Sequence, residues 1–263
     1  MKYVNNNKLN EIKLTKSNFY VAVDFDRTIT ARKSCGSWDV CRDVLGEGFI
    51  KENTELYNKY APIELDYTIS FDEKYKAMEE WYYKNLKLYY DYNLTAKQME
   101  EAVRNSCLIF RTGAKDFLHD MYIKEIPVVI LSAGIGNVIE QFLKKNDCYY
   151  SNIHIISNFV PFDKNGNIEE FKGDLIHTLN KTTEGRIEGK LAQDINGRAY
   201  RLLVGDFIED KKMVPAEEWD KTISIGILNE KVEDNLEVYK KNFDSVLTNE
   251  DASFDVIKKL IEI

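Results

Sequence analysis

The sequence predicts an α/β protein: a Rossmann-like parallel sheet with helices on its faces, interrupted after its first strand by a mostly helical cap. Three observations carry this. Short, near-continuous apolar runs recur along the chain, as in strands covered on both sides. Helical patterns lie between them, and strands alternating with helices build parallel sheets. The stretch 31–112 has another character, helical and rich in tyrosine. A chain of 263 residues has room for about two ordinary domains, or one core with a large insertion.

Taken in order, Phe19-Tyr-Val-Ala-Val-Asp24 is the first buried strand, ending in carboxylates. The cap follows. Ser70-x-x-Glu73 and Thr95-x-x-Gln98 have the pattern of capping boxes that start helices. Val128-Val-Ile-Leu131 is the next strand, and the helix after it places Val138, Ile139, Phe142 and Leu143 on one face. Asn152 to Lys172 reads as a small excursion, with a hairpin turn at Asp163-Lys-Asn-Gly166 between Asn158-Phe-Val and Ile168. Leu202-Leu-Val204 and Ile223-Ser-Ile-Gly-Ile-Leu228 complete the predicted strands. The expected division is a core of residues 1–30 and 113–263, a cap of 31–112, and a β-hairpin excursion at 152–172.

Composition narrows the function. Hydrophobic residues make up 44% and charged residues 30%, which suits a folded chain rather than a disordered one. The net charge of −8 argues against a nucleic-acid partner or an anionic membrane surface. No apolar run approaches the ~20 residues of a membrane span. Met1 to Lys16 lacks the apolar centre of a signal peptide, so a cytoplasmic protein is expected. Cys35, Cys41, Cys107 and Cys148 have no metal-hairpin spacing and read as reduced, structural thiols. His119, His154 and His177 lie too far apart in sequence to suggest a metal cluster. The expectation is a monomer or weak oligomer acting on a small molecule.

Chemistry concentrates at strand ends, where ligands of open α/β sheets bind. Asp24-Phe-Asp26-Arg-Thr28 leaves the first strand with two acids that can converge on one site, and such a pair repels unless a cation lies between. Leu131-Ser132-Ala-Gly134 offers a hydroxyl and backbone N–H groups before a helix, an arrangement suited to an anion. Gly205-Asp206-Phe-Ile-Glu-Asp210 adds two more carboxylates. Lys181 carries no signal by itself.

The order of acid pair, hydroxyl, lysine and second acid pair resembles the haloacid dehalogenase-like phosphohydrolase superfamily. Pro62-Ile-Glu-Leu-Asp66, Glu79-Glu-Trp-Tyr82, Leu131-Ser-Ala-Gly-Ile-Gly136, Ser157-Asn-Phe159, Phe171-Lys-Gly173 and Leu175-Ile-His-Thr-Leu-Asn-Lys181 narrow the likeness. With them the chain resembles the cytosolic pyrimidine 5′-nucleotidase family, also called cytosolic 5′-nucleotidase III, from about Phe19 onward.

The resemblance implies magnesium-dependent hydrolysis of nucleoside 5′-monophosphates, UMP and CMP foremost, through an aspartyl-phosphate. It implies that Asp24 is the nucleophile, that Asp26 is the general acid and base, and that Lys181 neutralises nucleophile and phosphate. Ser132, Ala133, Gly134 and Lys181 would bind phosphate. Asp206 and Asp210 would serve the Mg²⁺ site beside the Asp24 side chain and the Asp26 main-chain carbonyl. Glu64 would read the base, with Asn85 at the position of an assisting serine. His177 matches a position near Lys181 and is assigned support. Two stretches depart from the family: Phe207-Ile-Glu209 replaces a small polar run ending in glycine, and Ala31 to Val44 lacks a Cys-x-x-Cys-His stretch. Trp38 lies in the latter; Trp81, Tyr82 and Tyr83 offer either helix packing or a stacking face. The rival readings are a phosphatase for 7-methylguanosine monophosphate or another small ester, and a catalytically silent nucleotide-binding protein.

Overall fold

The computed structural model describes residues 2–4, 6–66 and 68–262. In chain order the elements are β1 (Lys2–Val4), α1 (Asn6–Glu11), β2 (Phe19–Val23), α2 (Arg42–Leu65), α3 (Phe71–Asp91), α4 (Ala96–Asn105), α5 (Ala114–Ile123) and β3 (Val128–Ile135). Then come α6 (Gly136–Lys145), β4 (Ile153–Asn158), α7 (Gly189–Ile195), β5 (Tyr200–Gly205), β6 (Thr222–Leu228), α8 (Val232–Asn242), β7 (Ser245–Thr248) and α9 (Phe254–Leu260). One sheet joins the strands in the order β1-β7-β6-β5-β2-β3-β4. Among the described residues, the β1–β7 pairing of this sheet is antiparallel and its other five strand pairings are parallel.

The apolar runs form strands because both faces are covered. Successive side chains alternate sides. Val21 and Val23 point into the larger core with Val128, Ile130, Leu202 and Val204. Tyr20 and Ala22 point to the other side, with Val129, Leu131, Leu203 and, from helices, Leu191 and Tyr239. The chain winds from β2 outward through β3 and β4, then returns to β5 on the other side of β2. That reversal opens a crevice at the carboxyl ends of β2 and β5, where Asp24 and Asp206 emerge.

The helices α2, α3 and α4 lie between β2 and β3 in the chain. Thr95 and Gln98 form a full capping box, with bonds of 3.2 and 2.9 Å. At Ser70 only half the expected box is made: its Oγ accepts from the Glu73 N–H at 3.3 Å, but the Glu73 carboxylate takes the Ser70 hydroxyl instead of the main chain. The chain enters and leaves this helical region through one neck. The Ala31 N–H donates to the Ile109 carbonyl and the Arg111 N–H to the Ile29 carbonyl, each at 2.8 Å. Cys35 and Cys107 form a disulfide across the neck, with their Cα atoms 5.7 Å apart. This corrects the expectation of four free thiols. The two cysteines are 72 residues apart, and their meeting follows from the neck rather than from sequence spacing. Cys41 and Cys148 are free and buried.

The segment expected as a hairpin excursion is also corrected. Ile153–Asn158 is the edge strand β4 of the main sheet. It is half-exposed through its middle, so it lacks the apolar run that marks the central strands. Beyond it the Asp163-to-Gly166 turn is present, its Asp163 carboxylate accepting the Asn165 and Asn167 N–H groups, and Phe162 bridges Ile168. Among the described residues, no helix is long and apolar enough to cross a membrane.

Arg111 fastens the neck to the core. Its buried guanidinium donates to the carbonyls of Thr28, Ala252 and Arg27 and to the side-chain oxygen of Asn229. Arg111→Met strands these buried acceptors, at a cost of roughly 1–3 kcal/mol. A thermal melt should move down by roughly 2–4 °C for each kcal/mol lost; an unshifted melt would rule this anchoring role out.

Candidate active site

Asp24 follows the last residue of β2 and is 5% exposed; its N–H continues the ladder to the Val204 carbonyl at 3.0 Å. Asp26 follows two residues on, still in extended backbone at φ −66° and ψ 124°, and the chain then turns tightly at Arg27, in the left-handed region at φ 58°. Lys181 arrives from the loop between β4 and α7. Its buried ammonium donates to Asp24 Oδ1 and, at 2.6 Å, to Asp210 Oδ1.

Asp210 sits in the turn after β5. The Phe207 N–H donates to its Oδ2 at 3.0 Å. A Cβ on Gly205 would lie 2.3 Å from that same oxygen, so glycine is required for the carboxylate to fold back against the strand end. The departure at Phe207-Ile208-Glu209 therefore leaves Asp210 buried and paired. Asp206, next to Gly205, accepts from Asn229 Nδ2 at 3.0 Å. Asp24, Asp206 and Asp210 each offer an oxygen, all within 4.8 Å of one another.

Asp26 stands apart from that cluster. Its Oδ1 accepts the Ser37 N–H at 2.9 Å and its Oδ2 accepts the Ser37 hydroxyl at 2.6 Å. Ser37 Oγ in turn accepts the Ile135 N–H at 3.2 Å. Ser132 Oγ accepts the Gly134 N–H at 3.1 Å, which curls the end of β3 into a cradle. A Cβ on Gly134 would fall 2.0 Å from Ser37 Oγ and 2.9 Å from Asp26 Oδ2, so only glycine lets the two loops meet.

These groups line a cavity of about 360 Å³ that also holds Ala133, Trp38, Glu64, Tyr82 and Thr178. Glu64, near the end of α2, accepts the Thr178 hydroxyl at 2.9 Å. Trp38 donates its indole N–H to the Ala133 carbonyl at 3.0 Å and meets Tyr82 edge to face. Every predicted catalytic, phosphate and metal residue thus converges here, and so does Glu64. Asn85 does not line the cavity. It is 8% exposed and accepts from Asn53 across the α2–α3 packing. Tyr82, three residues earlier on the same helix, reaches the cavity in its place. Trp81 stacks on Tyr60 and serves helix packing. Ser37, Thr178 and Asn229 were not among the predicted site residues: each joins the site through hydrogen bonds to partners that only the fold brings together. His177 is fully buried; the Leu179 N–H donates to its Nδ1 at 3.2 Å, and burial lowers its pKa to about 4, so the ring is a neutral prop under the Thr178 turn.

The electrostatics follow from crowding. Burial and the neighbouring carboxylates push Asp24 up to about 7 against the pull of Lys181. Asp206 is pushed well up by burial and by Asp24 and Asp210. One ammonium serves three acids, so the cluster holds a proton or a further cation. Clustered carboxylate oxygens are hard donors that suit magnesium.

The chain as a whole is similar to known proteins. A sequence model described as pyrimidine 5′-nucleotidase (UMPH-1) matches residues 26–263. A 7-methylguanosine phosphate-specific 5′-nucleotidase of Homo sapiens is 33% identical over 252 residues, covering 92% of this chain and 83% of the relative. The crystal structure of cytosolic 5′-nucleotidase IIIB bound to cytidine superposes with a TM-score of 0.87 at 26% identity, covering 99% of this chain and 92% of that one. A HAD family hydrolase from Salmonella enterica serovar Typhi shares the fold at a TM-score of 0.63 and 16% identity, over 94% of this chain and 72% of that one.

The acidic cluster has a consequence for stability. A carboxyl raised above its unfolded value binds its proton more tightly in the folded chain. For Asp24 this stabilising contribution is present below about pH 4 and is lost as pH rises through about 7. A divalent cation competes with that proton. Magnesium should therefore raise the melting temperature more at about pH 8 than at about pH 5. An equal or larger shift at the lower pH would contradict metal binding by these carboxylates.

Proposed function

The chain belongs to the pyrimidine 5′-nucleotidase (UMPH-1) family, and from that premise we propose that it cleaves the phosphate from CMP, UMP and 7-methylguanosine monophosphate with the help of magnesium. It is a HAD-fold 5′-nucleotidase. The finer reading rests above all on one observation: the Asp206 and Asp210 carboxylates and the Lys181 ammonium gathered around Asp24, in a cavity that Glu64 also lines.

Asp24 attacks phosphorus, and Asp26 gives a proton to the departing 5′ oxygen. Asp26 then takes a proton from the water that hydrolyses the aspartyl-phosphate. Lys181 offsets repulsion between the nucleophile and a phosphate dianion and aligns the two. Ser132, Ala133 and Gly134 face the phosphate. Asp24, Asp206 and Asp210, with the Asp26 carbonyl, would hold the metal, which would supply charge neutralisation at the phosphoryl oxygens. A cytoplasmic location accords with the cytosolic name of the structural relative.

Glu64 reads the base. Thr178 takes one lone pair of its Oε1, which leaves the other lone pair there and Oε2 for a ligand. An ionised carboxylate accepts two N–H groups side by side, the pattern on the edge of 7-methylguanine, whose positive charge adds attraction. Burial raises the Glu64 pKa, and the protonated form matches cytosine, which offers one acceptor and one amino donor. The two substrate classes named for the relatives thus fit the two protonation states of one side chain.

Two outcomes are expected. Phosphate release from a panel of CMP, UMP and 7-methylguanosine monophosphate should require magnesium and fall to background in Asp24→Asn, because an amide is a very poor nucleophile; near-normal turnover by that variant would refute the mechanism. Glu64→Gln carries one donor and one acceptor permanently. It should keep CMP hydrolysis while losing roughly 1–3 kcal/mol in kcat/KM for 7-methylguanosine monophosphate. Equal losses on both nucleotides would move base recognition elsewhere.

A further inference from the structure

Ser37 belongs to no expected motif, yet it is fully buried at the centre of the site. It grips both oxygens of Asp26, one through its N–H and one through its hydroxyl, at 2.9 and 2.6 Å. Its own oxygen accepts the Ile135 N–H from the end of β3. The chain on either side is clamped: Cys35, two residues before, is disulfide-bonded to Cys107, and Trp38, one residue after, is hydrogen-bonded to Ala133. Gly134 leaves the space that the Ser37 side chain fills.

Building on the phosphatase reading above, we propose that Ser37 is the positioning residue for Asp26, setting the direction in which Asp26 delivers its proton to the leaving oxygen. A carboxylate oxygen has two lone pairs. Ser37 takes one on each oxygen, which stops rotation of the carboxyl group and leaves the other lone pairs for the cavity that Asp26 lines. In the first step the Asp24 Oδ–P bond forms and the P–O5′ bond breaks. The bonding pair goes to O5′, which takes the proton from Asp26, and Ser37 keeps its own proton throughout. Because Ser37 reaches Asp26 from the neck of the cap, the acid is aimed only while that neck is seated on β3.

The leaving group separates this role from plain structural support. A nucleoside 5′ oxygen leaves as an alkoxide and needs the proton, whereas p-nitrophenolate leaves without one. The quantity kcat/KM reports the steps through the first irreversible one, before water attack engages Asp26 as base. Ser37→Ala should therefore lower kcat/KM for CMP and 7-methylguanosine monophosphate by about 10–100-fold, part of the range for general acid catalysis, while p-nitrophenyl phosphate changes by less than about twofold. In an Asp26→Asn background, Ser37→Ala should cost nothing further. Equal losses on both substrate types, no loss on either, or additive losses in the double variant would overturn the role. Should Ser37→Ala fail to fold, Ser37→Cys keeps the shape with a much weaker donor and must give the same split. A wild-type protein inert on every nucleotide brings down the phosphatase reading and this role with it; an active wild type with no split brings down the role alone.

Discussion

The buried Lys181 ammonium is the constraint on which the site depends. Three carboxylates at strand ends would repel one another in a low dielectric, and Lys181 binds two of them directly. Burying a charge is costly unless it is paired, and here the cation and the acids serve as each other's partners. The balance is deliberately incomplete: one positive charge among three acids leaves the pocket short of cation. That shortage is what a phosphatase of this kind needs, because a metal ion can complete the cluster and a dianionic substrate can then approach it.

Geometry allows this only because two glycines let loops touch. Gly205 admits the Asp210 carboxylate, and Gly134 admits Ser37. The acid cluster thus belongs to β2, β5 and the Lys181 loop, whereas the Asp26–Ser37 pair belongs to β2, β3 and the cap neck. Asp24 and Asp26, two residues apart, face these two halves. The left-handed turn at Arg27 follows them, with the Arg27 carbonyl held by Arg111 and Asn229.

The legible parts of this arrangement were those with a local cause. Central strands announce themselves because both faces are buried, and acids at their ends stand out against the apolar run. The strands β1 and β7, of three and four residues, are too short to register, and β4 is too exposed. Lys181 and Glu64 were found only through family resemblance, since neither lies in a distinctive local pattern. Ser37 and Thr178 were not singled out because the fold brings them to their partners, with Ile135 98 residues from Ser37 and Glu64 114 residues from Thr178. Asn85 was misplaced by less than one helical turn: its helix does reach the cavity, but through Tyr82. The cysteine pair failed for the same reason as Ser37, because a neck is a property of the fold.

The proposed base-reading contact and the charge compensation share one short segment. Thr178 touches Glu64 of α2, and Lys181, three residues on, touches Asp24 and Asp210. His177 holds the segment from below as a neutral ring packed edge-on to Tyr75 of α3. A charged imidazole there would face Lys212 and Arg186 as well as burial, which is why it stays neutral. The cap therefore does not press on the core at an arbitrary point. The Glu64 carboxylate bears on the loop that carries Lys181, so under the proposed roles a base that engages Glu64 also steadies the position of Lys181. Binding energy from the remote end of the substrate can in this way be used where the phosphate reacts.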